Sequence, residues 1–153
     1  MDIYLAADHR GFELKNQLAA WLKDEGHTVT DVGAREYTDD DDYPDYGLAA
    51  AQAVAEAPAE RRGIAICGSG VGMAVAANKV PGVRAALMHD PAIAAASRTD
   101  DDTNVLALGS DYISLDDAKA VVTAWLATSF SGAERHQRRL QAIARYENER
   151  SSS

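Results

Sequence analysis

Short apolar runs alternate with helix-period segments along the whole chain, and this alternation decides what it can fold into. Ile3-Tyr4-Leu5-Ala6-Ala7 reads as a strand. Phe12, Leu14, Leu18, Trp21 and Leu22 then recur at helical spacing, and Gly26 stops that helix. Thr28–Val32 is a second strand, and a polar loop, Arg35–Asp42, leads into Tyr43-Pro44-Asp45-Tyr46 and an alanine-rich helix to about Ala57. Gly63–Cys67 is a buried strand, followed by a glycine turn and a small-residue helix, Ala74–Asn78. Val83–Met88 is a fourth strand, after which Asp90-Pro91 reads as an N-cap with proline at the first helical position. Val105–Gly109 is a fifth. Ser114, with Asp117 three places on, opens a helix through Val121, Val122, Trp125 and Leu126, and a last helix spans roughly Ala133–Asn148. Strands alternating with helices predict an α/β fold, with a mostly parallel sheet covered on both faces. Ligands of such sheets sit beyond the carboxyl ends of the strands. Here those ends carry Asp8-His9, Cys67-Gly68, Met88-His89 and Gly109.

At 153 residues, and with no internal repeat or linker, the chain reads as one domain over residues 1–150, with 151–153 as a frayed tail. No run approaches the roughly 20 apolar residues of a membrane span. The start, Met1-Asp2-Ile3-Tyr4, lacks the pattern of a secretory signal. One cysteine allows neither an internal disulfide nor a cysteine metal cluster, so the cytoplasm is the expected compartment. A net charge of −9 argues against nucleic-acid binding. A small anion remains open as a ligand, because Arg135, His136, Arg138 and Arg139 form a local basic cluster.

Cys67 stands where a strand ends, ahead of Gly68-Ser69-Gly70-Val71-Gly72. Such a place favours anions and suits a proton-transferring thiol. The glycines let main-chain N–H groups converge on one oxygen, and Ser69 adds a hydroxyl. The alternative for Cys67 is a small buried apolar residue. The glycine spacing matches neither a dinucleotide fingerprint nor a P-loop, so no cofactor is expected. Asp8 and His9 read either as a helix cap or as contacts to a polar substrate. Arg135 and Arg139, four apart, share a helix face and form either a phosphate clamp or a solvated basic surface. Asp39–Asp42 reads as a solvated loop, whereas Asp100–Asp102, ahead of the fifth strand, lies nearer the expected site. Neither run has calcium-loop spacing, and no metal is expected.

Together these motifs resemble the ribose-5-phosphate isomerase B family, which includes the galactose-6-phosphate isomerase subunits. The likeness covers residues 2–147. It rests on Ala7-Asp8-His9-Arg10-Gly11, Asp42-Tyr43-Pro44-Asp45-Tyr46, Cys67–Gly72, Ala77-Asn78-Lys79, Asn104–Gly109 and Gly132 with Arg135-His136-Gln137 and Arg139. The resemblance implies a Rossmann-like three-layer sandwich whose C-terminal helix reaches toward a partner. It also implies a homodimer, or a tetramer of paired dimers, with shared active sites, and metal-free aldose–ketose isomerisation of a sugar phosphate. By the same resemblance Cys67 moves the proton, while Ser69 and the loop Gly68, Gly70, Val71 and Gly72 stabilise the enediolate. Asp8 handles the sugar's ring oxygen, Tyr43 contacts substrate, and His9, Arg135 and Arg139 hold the phosphate.

Two positions depart from the family pattern. Its ring-opening histidine is Asp100 here, with Asp101 in place of the adjacent asparagine, and a phosphate-binding arginine is Asp111. An anion placed near a phosphate repels it. The departures raise a different substrate, such as a four-carbon aldose 4-phosphate, which cannot close a furanose ring, or a catalytic Asp100 that itself acts on the ring oxygen or holds hydroxyls of a differently shaped sugar, with Asp101 beside it contacting substrate. They also raise a non-catalytic sugar-phosphate or nucleotide-binding module on the same scaffold.

Overall fold

A computed structural model of the chain describes residues 1–152. The elements run β1 (Asp2–Ala7), α1 (Phe12–Asp24), β2 (Thr28–Asp31), α2 (Tyr43–Ala55), β3 (Arg61–Cys67) and α3 (Val71–Ala77). They continue with β4 (Ala85–Leu87), α4 (Pro91–Asp101), β5 (Val105–Gly109), α5 (Leu115–Ala127) and α6 (Glu134–Ser151). The strands form one sheet in the order β2-β1-β3-β5-β4. Every pairing is parallel, rather than most of them.

Strand alternation sorts the side chains into two different layers. Ile3, Leu5, Ile64, Ile66, Leu106 and Leu108 face α1, α4 and α5, where Trp125 is fully buried. Ala65, Cys67, Val105 and Ala107 face α2 and α3. The first layer is bulky and aliphatic, and the second is built of small residues. Cys67 therefore belongs to the thin layer, at the end of its strand.

Two predicted caps are in place. The Asp90 carboxylate accepts from the N–H groups of Ala92 at 2.7 Å and Ile93 at 3.2 Å, and Ser114 Oγ accepts from Asp117 N–H at 3.1 Å. Some bounds differ from expectation. The helix after the glycine turn starts at Val71, not Ala74. Strand β4 shrinks to Ala85–Leu87, and the Asn78 amide binds both the N–H (2.8 Å) and the carbonyl (2.9 Å) of Ala85. That side chain stands where a further strand would pair and blunts the sheet edge. Helix α6 continues to Ser151, so Ser151 of the expected tail is helical and Ser153 lies outside the described residues.

One core feature escapes the apolar pattern. Lys15, on the buried face of α1, is 0% exposed. Its ammonium donates to Asp31, 2.9 Å from Oδ2, and to the Ala34 carbonyl.

Candidate active site

The chain reverses direction across the sheet between β1 and β3, which opens a crevice at their carboxyl ends. Three strand-to-helix loops meet there. The turn after β1 is held by Asp8, whose Oδ1 accepts from the N–H groups of Arg10 (3.0 Å) and Gly11 (3.2 Å). Asp8 thus caps this turn, while Gly11 takes the N-cap position of α1. The loop after β5 is tied on by its main chain. Ser110 N–H donates to the Cys67 carbonyl at 2.9 Å and Asp111 N–H to the Gly68 carbonyl at 3.0 Å, while Ser110 Oγ donates to the Arg10 carbonyl at 2.8 Å.

A cleft of about 420 Å³ lies among these loops. Cys67, Gly68, Ser69 and Gly72 line it from the β3 side, Asp8, His9 and Arg10 from the β1 side. Asp41, Asp42 and Tyr43 come from the start of α2, and Asp111 and Tyr112 from the loop after β5. Cys67 is 5% exposed and lies at the floor of the cleft. Gly70 N–H donates to Sγ at 3.2 Å, and Val71 N–H donates to Ser69 Oγ at 3.3 Å. The second bond uses a lone pair and leaves the Ser69 hydroxyl proton able to donate.

The glycines do more packing here than expected. Gly70 has φ +79°, and a Cβ there would lie 2.6 Å from Leu87 Cδ1 and 2.8 Å from the Leu108 carbonyl carbon. A Cβ on Gly72 would meet the Tyr43 ring at 2.6 Å, and one on Gly68 the Arg10 guanidinium at 2.9 Å. The room they leave is occupied by the protein itself.

The first acidic run is not simply solvated, which corrects the expectation for it. Asp41, with a side chain 7% exposed, accepts from the His9 N–H at 2.9 Å and contacts His9 Nδ1 at 2.7 Å. Nε2 is the ring nitrogen left for a ligand. Burial raises the Asp41 carboxyl, but the His9 main-chain and ring hydrogen bonds, the imidazole charge and the Tyr46 hydroxyl outweigh it. The group is held below its ordinary value of 3.8. Burial and the adjacent Asp41 charge together raise Tyr46 above the usual phenol value. Sequence reasoning missed Asp41 because nothing separates it from three neighbouring aspartates. Arg10 and Asp42, quoted only within motifs, and Tyr112 also line the cleft.

Asp8, His9 and Asp41 each offer a ligand atom within 4.8 Å of the others, the spacing of a metal site. Their contacts account for that proximity without an ion. His9 and Asp41 are committed to each other, and Asp8 holds main-chain N–H groups.

The remaining expected residues lie outside this cleft within the chain. Val71 is exposed on α3, and Gly70 is buried beneath the loop. Asp100 is directed at His136, with Oδ1 3.5 Å from Nε2. The Asp101 carbonyl accepts from Arg84 Nε at 3.0 Å, in a groove lined also by Leu140 and Ile143 of α6. Arg135 and Arg139 are exposed on α6. Asp102 ends α4 with φ +47° and pairs with Arg98 (2.7 Å) and Arg84 (3.2 Å). The second acidic run is thus largely structural in the single chain. Asp111, expected to oppose a phosphate directly, is ion-paired to Arg10.

The family model for ribose/galactose isomerases matches residues 3–143. Ribose-5-phosphate isomerase B of Escherichia coli K12 is 43% identical over 148 residues, covering 97% of both chains. The enzyme of that name from Mycobacterium tuberculosis is 42% identical over 147 residues, covering 96% of this chain and 90% of its own. Among solved structures, Mycoplasma genitalium ribose-5-phosphate isomerase B with bound ribulose 5-phosphate superposes with a TM-score of 0.93. It is 40% identical, and coverage is 97% of each chain. Architecture, strand-end motifs and near-complete coverage agree: this chain belongs to the ribose/galactose isomerase family.

Proposed function

We propose that the protein interconverts an aldose phosphate and its ketose, with ribose 5-phosphate and ribulose 5-phosphate as the substrate pair. The observation that carries this reading is a lone thiol on the floor of a polar cleft, beside a serine hydroxyl and opposite His9. Enolisation next to a carbonyl needs a base at carbon and donors at oxygen. The Cys67 thiolate takes the C2 proton of the open-chain aldose, and the electron pair left behind forms the C1–C2 double bond of an enediolate. Return of a proton from the thiol to C1, with proton movement between O1 and O2, gives the ketose. The Ser69 hydroxyl and the loop's main-chain N–H groups supply donors to the charged oxygen. Gly70 N–H serves the sulfur instead. Asp8 attends the ring oxygen, Tyr43 borders the sugar, and His9 Nε2 faces the phosphate.

A homodimer completes this site. Asp100, Arg135 and Arg139 lie outside their own cleft, and the exposed α6 carries both arginines. We infer that a second subunit delivers these residues to the cleft, the two arginines from its α6 and Asp100 and Asp101 from the end of its α4, where they border the sugar. Holding the phosphate away from the reacting carbons lets binding energy position C1 and C2 over the sulfur. No metal or cofactor takes part in this scheme. Among the described residues no helix is long and apolar enough to cross a membrane.

The test is turnover and solvent deuterium incorporation with a panel of four-, five- and six-carbon aldose phosphates. The reading expects deuterium at C1 of ribulose 5-phosphate formed from ribose 5-phosphate. Turnover of erythrose 4-phosphate alone would reassign the substrate to the tetrose. Binding of sugar phosphates with no exchange into any of them would leave a non-catalytic module.

A further inference from the structure

We propose that Arg10 is a phosphate-binding residue of this cleft, parked on Asp111 until a substrate phosphate takes the carboxylate's place. The inference rests on the sugar-phosphate reading above and adds a specificity residue to it.

The charge of the cleft's own lining favours such a group beside the arginines that a second subunit brings. Four carboxylates line it, those of Asp8, Asp41, Asp42 and Asp111. Among its described lining residues Arg10 is the one permanently charged cation. A phosphate monoester near neutral pH carries close to two negative charges. It cannot approach that many carboxylates unless a cation meets it there. A guanidinium offers the fork of donors that suits phosphate oxygens, whereas a single carboxylate occupies only part of it.

Placement agrees with charge. The guanidinium lies directly over Gly68, beside the sulfur-bearing loop, where a Cβ would meet it at 2.9 Å. Arg10 Nη2 donates to Asp111 Oδ2. Both side chains are about half exposed, at 53% and 44%. Ion pairs so exposed are weak and exchange readily.

The pair is also redundant as a fastening. The Ser110 and Asp111 N–H groups and the Ser110 hydroxyl already bind this loop to Cys67, Gly68 and Arg10 through main-chain carbonyls. Asp111 is thereby held in place whatever Arg10 does. It acts as a fixed competitor that an incoming dianion displaces, and it disfavours sugars without a phosphate.

The experiment is calorimetric titration of ribose 5-phosphate, and separately of inorganic phosphate, into the full-length protein and three variants. Arg10→Met should weaken both ligands about tenfold or more, the usual loss for a hydrogen bond between charged groups. Arg10→Lys should fall between the two. Asp111→Asn should bind both as tightly as the parent or more tightly, because it frees the guanidinium. Equal affinities in parent and Arg10→Met would overturn the proposal. Equal losses in Arg10→Met and Asp111→Asn would overturn it too, leaving the pair as a structural strap. If Arg10→Met melts early, the Lys and Asn variants still separate these outcomes. Because the inorganic-phosphate arm reads binding without turnover, a protein that binds phosphate through Arg10 yet isomerises nothing would refute the proposed activity and leave this inference standing.

Discussion

Replacing Gly70 with alanine tests how the floor of the cleft is built, and a second glycine provides the control. Gly70 and Gly82 share nearly the same left-handed backbone, with φ +79° and +85°. They differ in surroundings. A Cβ at Gly82 meets nothing within 4 Å, while one at Gly70 would lie 2.8 Å from the Leu108 carbonyl carbon and 2.9 Å from Gly109 N. Backbone atoms of a central strand cannot swing aside as a side chain does. Alanine in the left-handed region costs about 1–2 kcal/mol, partly offset by about 0.4–1 kcal/mol from a less flexible unfolded chain. Gly82→Ala should therefore destabilise by about 0.5–1 kcal/mol. Gly70→Ala adds an overpacking cost of about 1–3 kcal/mol, for a total of about 2–4 kcal/mol. Equilibrium urea unfolding at fixed protomer concentration, followed by the fluorescence of Trp21 and Trp125, reads the difference. Activity supplies a second signal. Moving the Gly70 N–H away from Cys67 Sγ should lower kcat in Gly70→Ala and leave Gly82→Ala near the parent. If both variants lose the same stability, the contact reasoning is wrong.

Cys67→Ala should lower kcat by at least about 100-fold, the smallest share normally carried by a general base, while sugar phosphates still bind; near-normal turnover would remove the thiol from the mechanism. Asp41 titrates below 3.8 in the folded chain, so its stabilisation is complete above that value and is lost as pH falls through the folded one. The unfolding free-energy gap between parent and Asp41→Asn should accordingly close below about pH 4, and a gap that widens with acid would contradict the pairing. Asp31→Ala strands the Lys15 ammonium in the core. Removing one partner of a buried pair costs about 3–5 kcal/mol, and because Asp31 is 35% exposed a urea midpoint equivalent to about 2–3 kcal/mol is expected. The double variant Lys15→Met, Asp31→Ala should recover most of that loss.

The alternation of strands and helices was enough to place Asp8, His9, Cys67 and Ser69 at one end of one sheet, because strand ends in parallel sheets share a side. Local rules also found the caps at Asp90 and Ser114, where a short polar side chain has only nearby N–H groups to satisfy. What the sequence could not reveal depends on neighbours far along the chain. Asp41 reaches His9 across 32 positions, and Arg10 reaches Asp111 across 101. Lys15 occupies a core position on α1 with the side chain of a surface residue. Its signal is the same whether it is solvated or buried, until Asp31 and the Ala34 carbonyl come into place. The first acidic run was read as solvated for a similar reason, although Asp41 in it is inward and paired with His9. Composition counts charges but does not tell which one turns inward.

The loop bearing Asp111 is fastened by N–H groups and a serine hydroxyl that bind carbonyls of the neighbouring strand end and turn. Fasteners of that kind, apart from the hydroxyl, ignore the identity of the side chain they carry. Position 111 can therefore exchange an acid for a base or a neutral group while the thiol beneath keeps its setting. Substrate preference at the rim and proton transfer at the base become separately adjustable, so a lineage can change which sugar it admits without rebuilding the atoms that act on it.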